Sequence, residues 1–175
     1  MVQGAGEEIV ETLLVVSDTS PIRALHHLNL LGVLESLYAS ILIPPAVERE
    51  LRTRTRLCPS IDIANFPFIH LRAPVDQSQV NQLQVDLDAG EAEAIALAKE
   101  VGADLLLVDE MRARAFANRL QIQITGALGV LLQAKSRGLI QQVHPLIDQL
   151  EIEIDFFVSD ELRQEVIRRA AEQRE

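Results

Sequence analysis

Asp18 and Asp109 are the residues whose type and setting first point to chemistry. Each closes a short apolar run, Leu13-Leu14-Val15-Val16-Ser17-Asp18 and Leu105-Leu106-Leu107-Val108-Asp109-Glu110, the pattern of a buried strand that hands a carboxylate to its own end. Adjacent strands lie about 5 Å apart, so two such ends set two acids side by side at the rim where open α/β sheets bind ligands. Two neighbouring carboxylates repel unless something positive lies between them, and the pair therefore reads as a divalent metal site.

Every acid in the chain also has a plainer explanation. Asp in a strand-to-helix loop often serves as a turn or cap, but Ser20 followed by Pro21 already offers an N-cap with proline at the first helical position, which leaves Asp18 free to face the crevice. Asp109 is placed to N-cap the helix after it, and its pairing with Asp18 is what argues for more. Asp88-Ala89-Gly90-Glu91 has the spacing of a capping box, so local sequence alone favours Glu91 as a cap. Glu50 stands between Arg49 and Arg52, with Glu48 a competitor, and alone reads as a solvated salt-bridge face.

The elements that must position these acids alternate along the chain. A strand over 10–17 leads into a helix from Ser20 to about Leu31, and a helical face over 30–38 carries Gly32 as an interruption. The strand Ile41-Leu42-Ile43 meets Pro44-Pro45, and a helix containing Val47, Glu50 and Leu51 runs out near Cys58-Pro59. Residues 66–71 suit an edge strand, flanked as they are by prolines. Residues 75–87 suit a helix, and a second one starts at Asp88 and ends at the C-cap Gly102. A strand over 105–108, a helix over 110–120, a strand over 121–125 and a helix over 126–137 follow. The tail offers a short helix near 145–150, the run Ile152 to Val158, and a helix capped by Ser159 through about Ala171. Strands alternating with helices define the α/β class, a single three-layer domain with a central parallel sheet flanked by helices and a helical C-terminal extension. The expected boundaries are 10–150 for the domain and 151–175 for an extension packed on it, with 1–9 frayed or disordered.

Composition narrows the function. A chain of 175 residues is one ordinary domain that buries about 70% of its unfolded surface. The single cysteine, Cys58, allows no internal disulfide, and the absence of a basic, apolar leader points to the cytoplasm. No apolar stretch approaches the roughly 20 residues of a membrane span. A net charge of -10 opposes broad affinity for DNA but leaves room for a small nucleic-acid site. The basic residues are arginines except for Lys99 and Lys135, and arginine suits bidentate phosphate contact. Aromatics are scarce, which argues against a base-stacking platform. His26, His27, His70 and His144 make no zinc spacing with Cys58.

Taken together, Asp18-Thr19-Ser20-Pro21, the Ile41-to-Val47 run leading to Glu50-Leu51, the Leu87-to-Ile95 run, Leu107-Val108-Asp109-Glu110 with Arg112 and Arg114, and the Thr125-to-Leu132 run resemble the PIN-domain superfamily. More narrowly they resemble a prokaryotic branch related to VapC-type toxin ribonucleases, over about residues 13–145. The resemblance implies an α/β fold whose acids bind Mg²⁺ or Mn²⁺ and cut RNA. Position by position, it makes Asp18, Glu50, Glu91 and Asp109 catalytic, with Asp18, Glu91 and Asp109 on the metal and Glu50 orienting water or helping to hold a second ion. Ser20 becomes the hydroxyl partner behind the ligands, and Arg112 and Arg114 become phosphate contacts. Glutamate at 91 departs from the aspartate of many VapC-type proteins, and Ala127 replaces a frequent hydroxyl residue.

The implied function is a metal-dependent endoribonuclease, with RNA as substrate and an antitoxin protein as an expected partner. A homodimer is the default assembly, with Phe156-Phe157-Val158 offering contact. The alternative is a catalytically silent PIN-fold module that binds nucleic acid or protein. Phosphotransfer is a third class, disfavoured because no lysine follows a late strand in the receiver pattern and Ser20, not aspartate, stands two places after Asp18.

Overall fold

The computed structural model describes residues 12–171; the segment expected to be disordered, 1–9, lies outside the described residues. Five short parallel strands form one sheet: β1 (Val15–Ser17), β2 (Ile41–Ile43), β3 (Ile69–Leu71), β4 (Leu105–Leu107) and β5 (Ile124–Thr125), in the order β3-β2-β1-β4-β5. The sequence moves outward from β1 in one direction and then returns to its other side with β4. The topological switch point is therefore the seam between β1 and β4, where crevices open at strand C-termini.

Nine α-helices among the described residues flank this sheet, completing a three-layer α/β fold: α1 (Thr19–His27), α2 (Gly32–Tyr38), α3 (Pro45–Arg52), α4 (Gln77–Leu83), α5 (Ala89–Val101), α6 (Met111–Arg119), α7 (Ala127–Ser136), α8 (His144–Ile154) and α9 (Asp160–Arg169). The strands are apolar because both faces of the sheet are covered; Val15, Val16, Leu106 and Leu107 are all buried. Helix α5 is buried along nearly its whole length from Gly90 to Ala98. Its middle, Ala94 to Ala98, is apolar all round, as in a helix enclosed by neighbours, and its alanines let α3, α4, α6 and β1 approach closely. Val158, Val166 and Ala170 of the tail join the same hydrophobic core.

Several boundaries differ from the sequence reading, each for a local reason. The first helix does not reach Leu31: it stops at His27, Asn29 takes a left-handed φ of 56°, and Gly32 opens α2 instead of interrupting it. Helix α3 ends at Arg52, well before Cys58. Thr53 there turns extended, its hydroxyl bonding the Arg49 carbonyl, while Ile61 N–H pairs with the Leu51 carbonyl. Helix α8 runs on through Ile154 to a left-handed Asp155. The N-cap of α1 is Asp18 itself, not Ser20, in extended backbone and without a side-chain cap.

Candidate functional site

The register β1–β4 pairs Ser17 with Leu107, and the Asp18 N–H donates to the Leu107 carbonyl at 2.9 Å. Asp18 thus stands level with Val108, and Asp109 follows one residue later on the neighbouring strand end. Asp18 is only 3% exposed, and its Oδ1 is buried without a hydrogen-bond partner. Burial pushes its carboxyl well above the ordinary 3.8; the Thr19 backbone amide opposes this, while Asp88, Glu91 and Glu50 add to it. The same acids thus surround Asp18 as a single negative cluster.

Glu91 lies in that cluster and is also the cap that its spacing foretells. Its N–H donates to Asp88 Oδ1 at 2.8 Å, and its Oε2 accepts from the Asp88 N–H at 3.2 Å. A capping glutamate is ordinarily solvated, whereas this one is 7% exposed. Burial raises its pKa, as do Asp88, Glu110 and Glu50, against the Asp88 backbone hydrogen bond that lowers it. Cap and site residue are here the same side chain.

Glu50 is not part of a solvated face. The Thr19 hydroxyl donates to its Oε2, and the Gly90 N–H donates to its Oε1 at 2.9 Å. Both oxygens are therefore committed, one to the start of α1 and one to the start of α5. Glu93 returns the favour, its Oε2 accepting from the Ala46 N–H at 2.8 Å, so α3 and α5 each supply an acceptor to the other's unpaired N-terminal amides. Gly90 is required for the close approach, since a Cβ there would stand 2.5 and 2.7 Å from the two Glu50 oxygens. Arg23 completes the strap, its Nη2 donating to the Glu50 carbonyl at 2.5 Å and the Thr53 carbonyl at 3.0 Å while Nη1 is left without a partner.

Asp109 does not cap its own helix α6, whose N-cap is Glu110. Its Oδ1 accepts from the Ala127 N–H at 2.8 Å and so serves the N-terminus of α7, while Oδ2 is buried and unpartnered. The Gly126 backbone lies against Oδ1, leaving no space for a Cβ. Burial pushes the Asp109 carboxyl from 3.8 up to about 6, against the Ala127 amide and Arg114, which pull it down. Arg114 is held by the Val108 carbonyl at 3.2 Å.

The structure therefore brings Asp18, Glu50 and Glu91 into one cluster and sets Asp109 beside it with Arg114. Ser20 is exposed and lines a groove with Asp109 and Arg114, whereas the hydroxyl that donates to a site carboxylate is that of Thr19. Arg112, in the first turn of α6, pairs with Asp86 at 2.7 Å on the surface. Thr19, Arg23, Gly90 and Gly126 were missed, although Thr19 and Arg23 are one helical turn apart and each glycine sits at a helix start beside an acid or its partner.

Among the described residues no group of three or more His, Cys, Asp or Glu side chains converges into a ready-made metal cage. Two buried carboxylate oxygens, Asp18 Oδ1 on one strand end and Asp109 Oδ2 on the next, have no hydrogen-bond partner and are the atoms a cation would meet. A hard ion such as Mg²⁺ keeps several waters and takes only one or two carboxylates directly, which suits a pair better than a closed cage.

Fold and rim together define a three-layer α/β domain with buried carboxylates at the strand ends of its switch point. A family model described as a PIN domain matches residues 14–172, and the chain belongs to that family. PIN domains are generally nucleases that bind nucleic acid and use divalent metals. The match extends through α8 and α9, beyond the residues on which the sequence resemblance rests. A search of curated proteins finds no match. No helix among the described residues is long and apolar enough to cross a membrane.

Proposed function

We propose that this chain is an endoribonuclease that hydrolyses RNA phosphodiester bonds with Mg²⁺ or Mn²⁺. The observation that carries the reading is the pair of orphaned oxygens, Asp18 Oδ1 and Asp109 Oδ2, at the ends of adjacent strands. A buried acceptor with no donor is expensive, and a bound cation would supply the missing partner to each. When bound, a divalent cation offers charge relief at the phosphate and an activated water.

The chain's own residues divide the remaining work. Asp18 and Asp109 present one oxygen each; the Asp18 backbone N–H anchors its strand end by donating to the Leu107 carbonyl, and the Ala127 N–H holds the Asp109 carboxylate through its other oxygen. Glu91, its pKa raised by burial and Asp88, is suited to accept a proton at its carboxylate from the attacking water. Glu50 accepts one hydrogen bond on each oxygen and acts first as a strut that fixes Thr19 and Gly90. Arg114 lies where a phosphate oxygen beside Asp109 would meet a guanidinium.

The test is cleavage of a mixed RNA pool in Mn²⁺ by the intact chain beside Asp18→Asn, which removes one charge and nothing of the shape. Cleavage by the first and its loss in the second is expected. Equal activity in both would remove the assignment.

A further inference from the structure

Two of the chain's five phenylalanines, Phe156 and Phe157, stand beside the acidic rim. They lie on the short loop between α8 and α9, which is fixed at both ends: Asp155 closes α8 with φ 54° and pairs with Arg56 at 3.3 Å, and the Ser159 hydroxyl accepts from the Leu162 N–H at 3.2 Å. The loop therefore holds Phe157 in the open. Its side chain is 83% exposed.

Phe157 also lines a groove of about 980 Å³ that reaches from Asp109 and Arg114 past Arg23 to Arg169. Two of the three buried side-chain atoms without partners among the described residues, Asp109 Oδ2 and Arg23 Nη1, belong to residues of this groove. Arg23 and Arg114 are locked by backbone carbonyls, so their charge is fixed along the wall. Of the acids there, Asp155 is already paired with Arg56, and Glu110 faces the groove as well. Fixed guanidinium groups and an exposed aromatic in one groove are the two elements with which single strands are held, cations for the phosphates and a ring for the bases. A peptide or a second copy of the chain would use the apolar wall but has no call for arginines beside the orphaned carboxylate.

We propose that this groove is a nucleotide-stacking subsite. A base flanking the scissile phosphate stacks on Phe157, and the adjoining backbone meets Arg114, Arg23 and Arg169. The proposal rests on the nuclease reading and deepens it: the substrate is single-stranded RNA, because a paired base cannot offer its face.

Binding of a fluorescent single-stranded oligoribonucleotide to the full chain, read by anisotropy in chelator so that no cleavage intervenes, tests it. The intact chain is expected to bind the single strand at least about 10-fold more tightly than its duplex. Phe157→Ala and Phe157→Leu should each lose about 10-fold, and Phe157→Tyr should keep the affinity. Because Phe157 is exposed, melting temperatures should match the parent, and Arg169→Ala should lower the salt slope by about 0.7. Full affinity in Phe157→Leu, equal affinity for the duplex, or no binding by the intact chain overturns the subsite. So does a change in elution volume of the Phe157 variants with RNA affinity untouched, which would mark the face as a contact between copies. Phe157-dependent binding without Mn²⁺ cleavage would refute the nuclease reading and leave the subsite standing; cleavage indifferent to Phe157 would do the reverse.

Discussion

The two halves of the acidic rim are built on opposite principles. Around Asp18, three further acids crowd one another, and the cluster is held by hydrogen bonds to backbone: Glu50 to Gly90, Glu91 to Asp88, Arg23 to the Glu50 and Thr53 carbonyls. Around Asp109 the negative charge is offset by Arg114 and by the N-terminus of α7, and the surroundings open into the groove that Phe157 borders. The first half is rigid and electrostatically strained, suited to gripping a cation. The second is open and carries positive charge, suited to an anion arriving next to it. A seam between two strands thus becomes a site with a metal side and a substrate side.

Removing charge from the first half breaks the comparison most severely. Asp18→Asn should lower RNA cleavage by more than the roughly 100-fold that partners outside the ligand shell command, while its melting temperature stays level or rises, because a buried repulsive charge is gone. Glu50→Gln should cost about 10- to 100-fold, since Glu50 acts through Thr19 and Gly90 and not on the substrate. Gly90→Ala should reproduce that loss and destabilise the fold by about 1–3 kcal/mol, because its methyl collides with the Glu50 carboxylate. Cleavage rates and thermal melts of the three variants decide whether the strut is real.

Acidity separates the halves by another route. Asp109 has a folded-state pKa raised from 3.8 to about 6, so in that window the folded chain binds more protons than the unfolded one. Stability of the metal-free protein should therefore fall as pH rises from about 4 to about 6. At about 1.4 kcal/mol per pH unit, Asp109 alone accounts for up to about 3 kcal/mol, and Asp18 and Glu91 act in the same direction. Chemical denaturation at several pH values measures the slope, and Mg²⁺ should flatten it. The smallest effect belongs to Arg112→Ala: its exposed pair with Asp86 should be worth less than about 1 kcal/mol, with cleavage unchanged.

The sequence discloses what depends on neighbours in the chain and conceals what depends on packing. Asp18 and Asp109 were legible because a buried strand ending in an acid is a local pattern, and α5 was legible because Asp88, Glu91 and Gly102 mark its ends. The role of Glu50 was not, since its neighbours Arg49 and Arg52 say nothing of the Gly90 amide 40 residues away. The contact from Thr19 to Glu50 was not legible because the helix starts two residues earlier than Ser20-Pro21 suggests, with Asp18 as its N-cap. Scarcity of aromatics argued against base stacking, but a count over the whole chain cannot reveal that a fixed loop sets Phe157 beside Asp109.

The most direct test of the central claim, that Asp18 and Asp109 share a divalent cation, is calorimetric titration of Mn²⁺ near pH 6 in two buffers of different ionisation heat. The account predicts one saturable binding event that releases protons, because the Asp109 carboxyl, pushed up to about 6, is partly protonated there without metal, and its loss in the Asp18→Asn, Asp109→Asn double variant. Binding of equal strength in the double variant, or none in the parent chain, would contradict it.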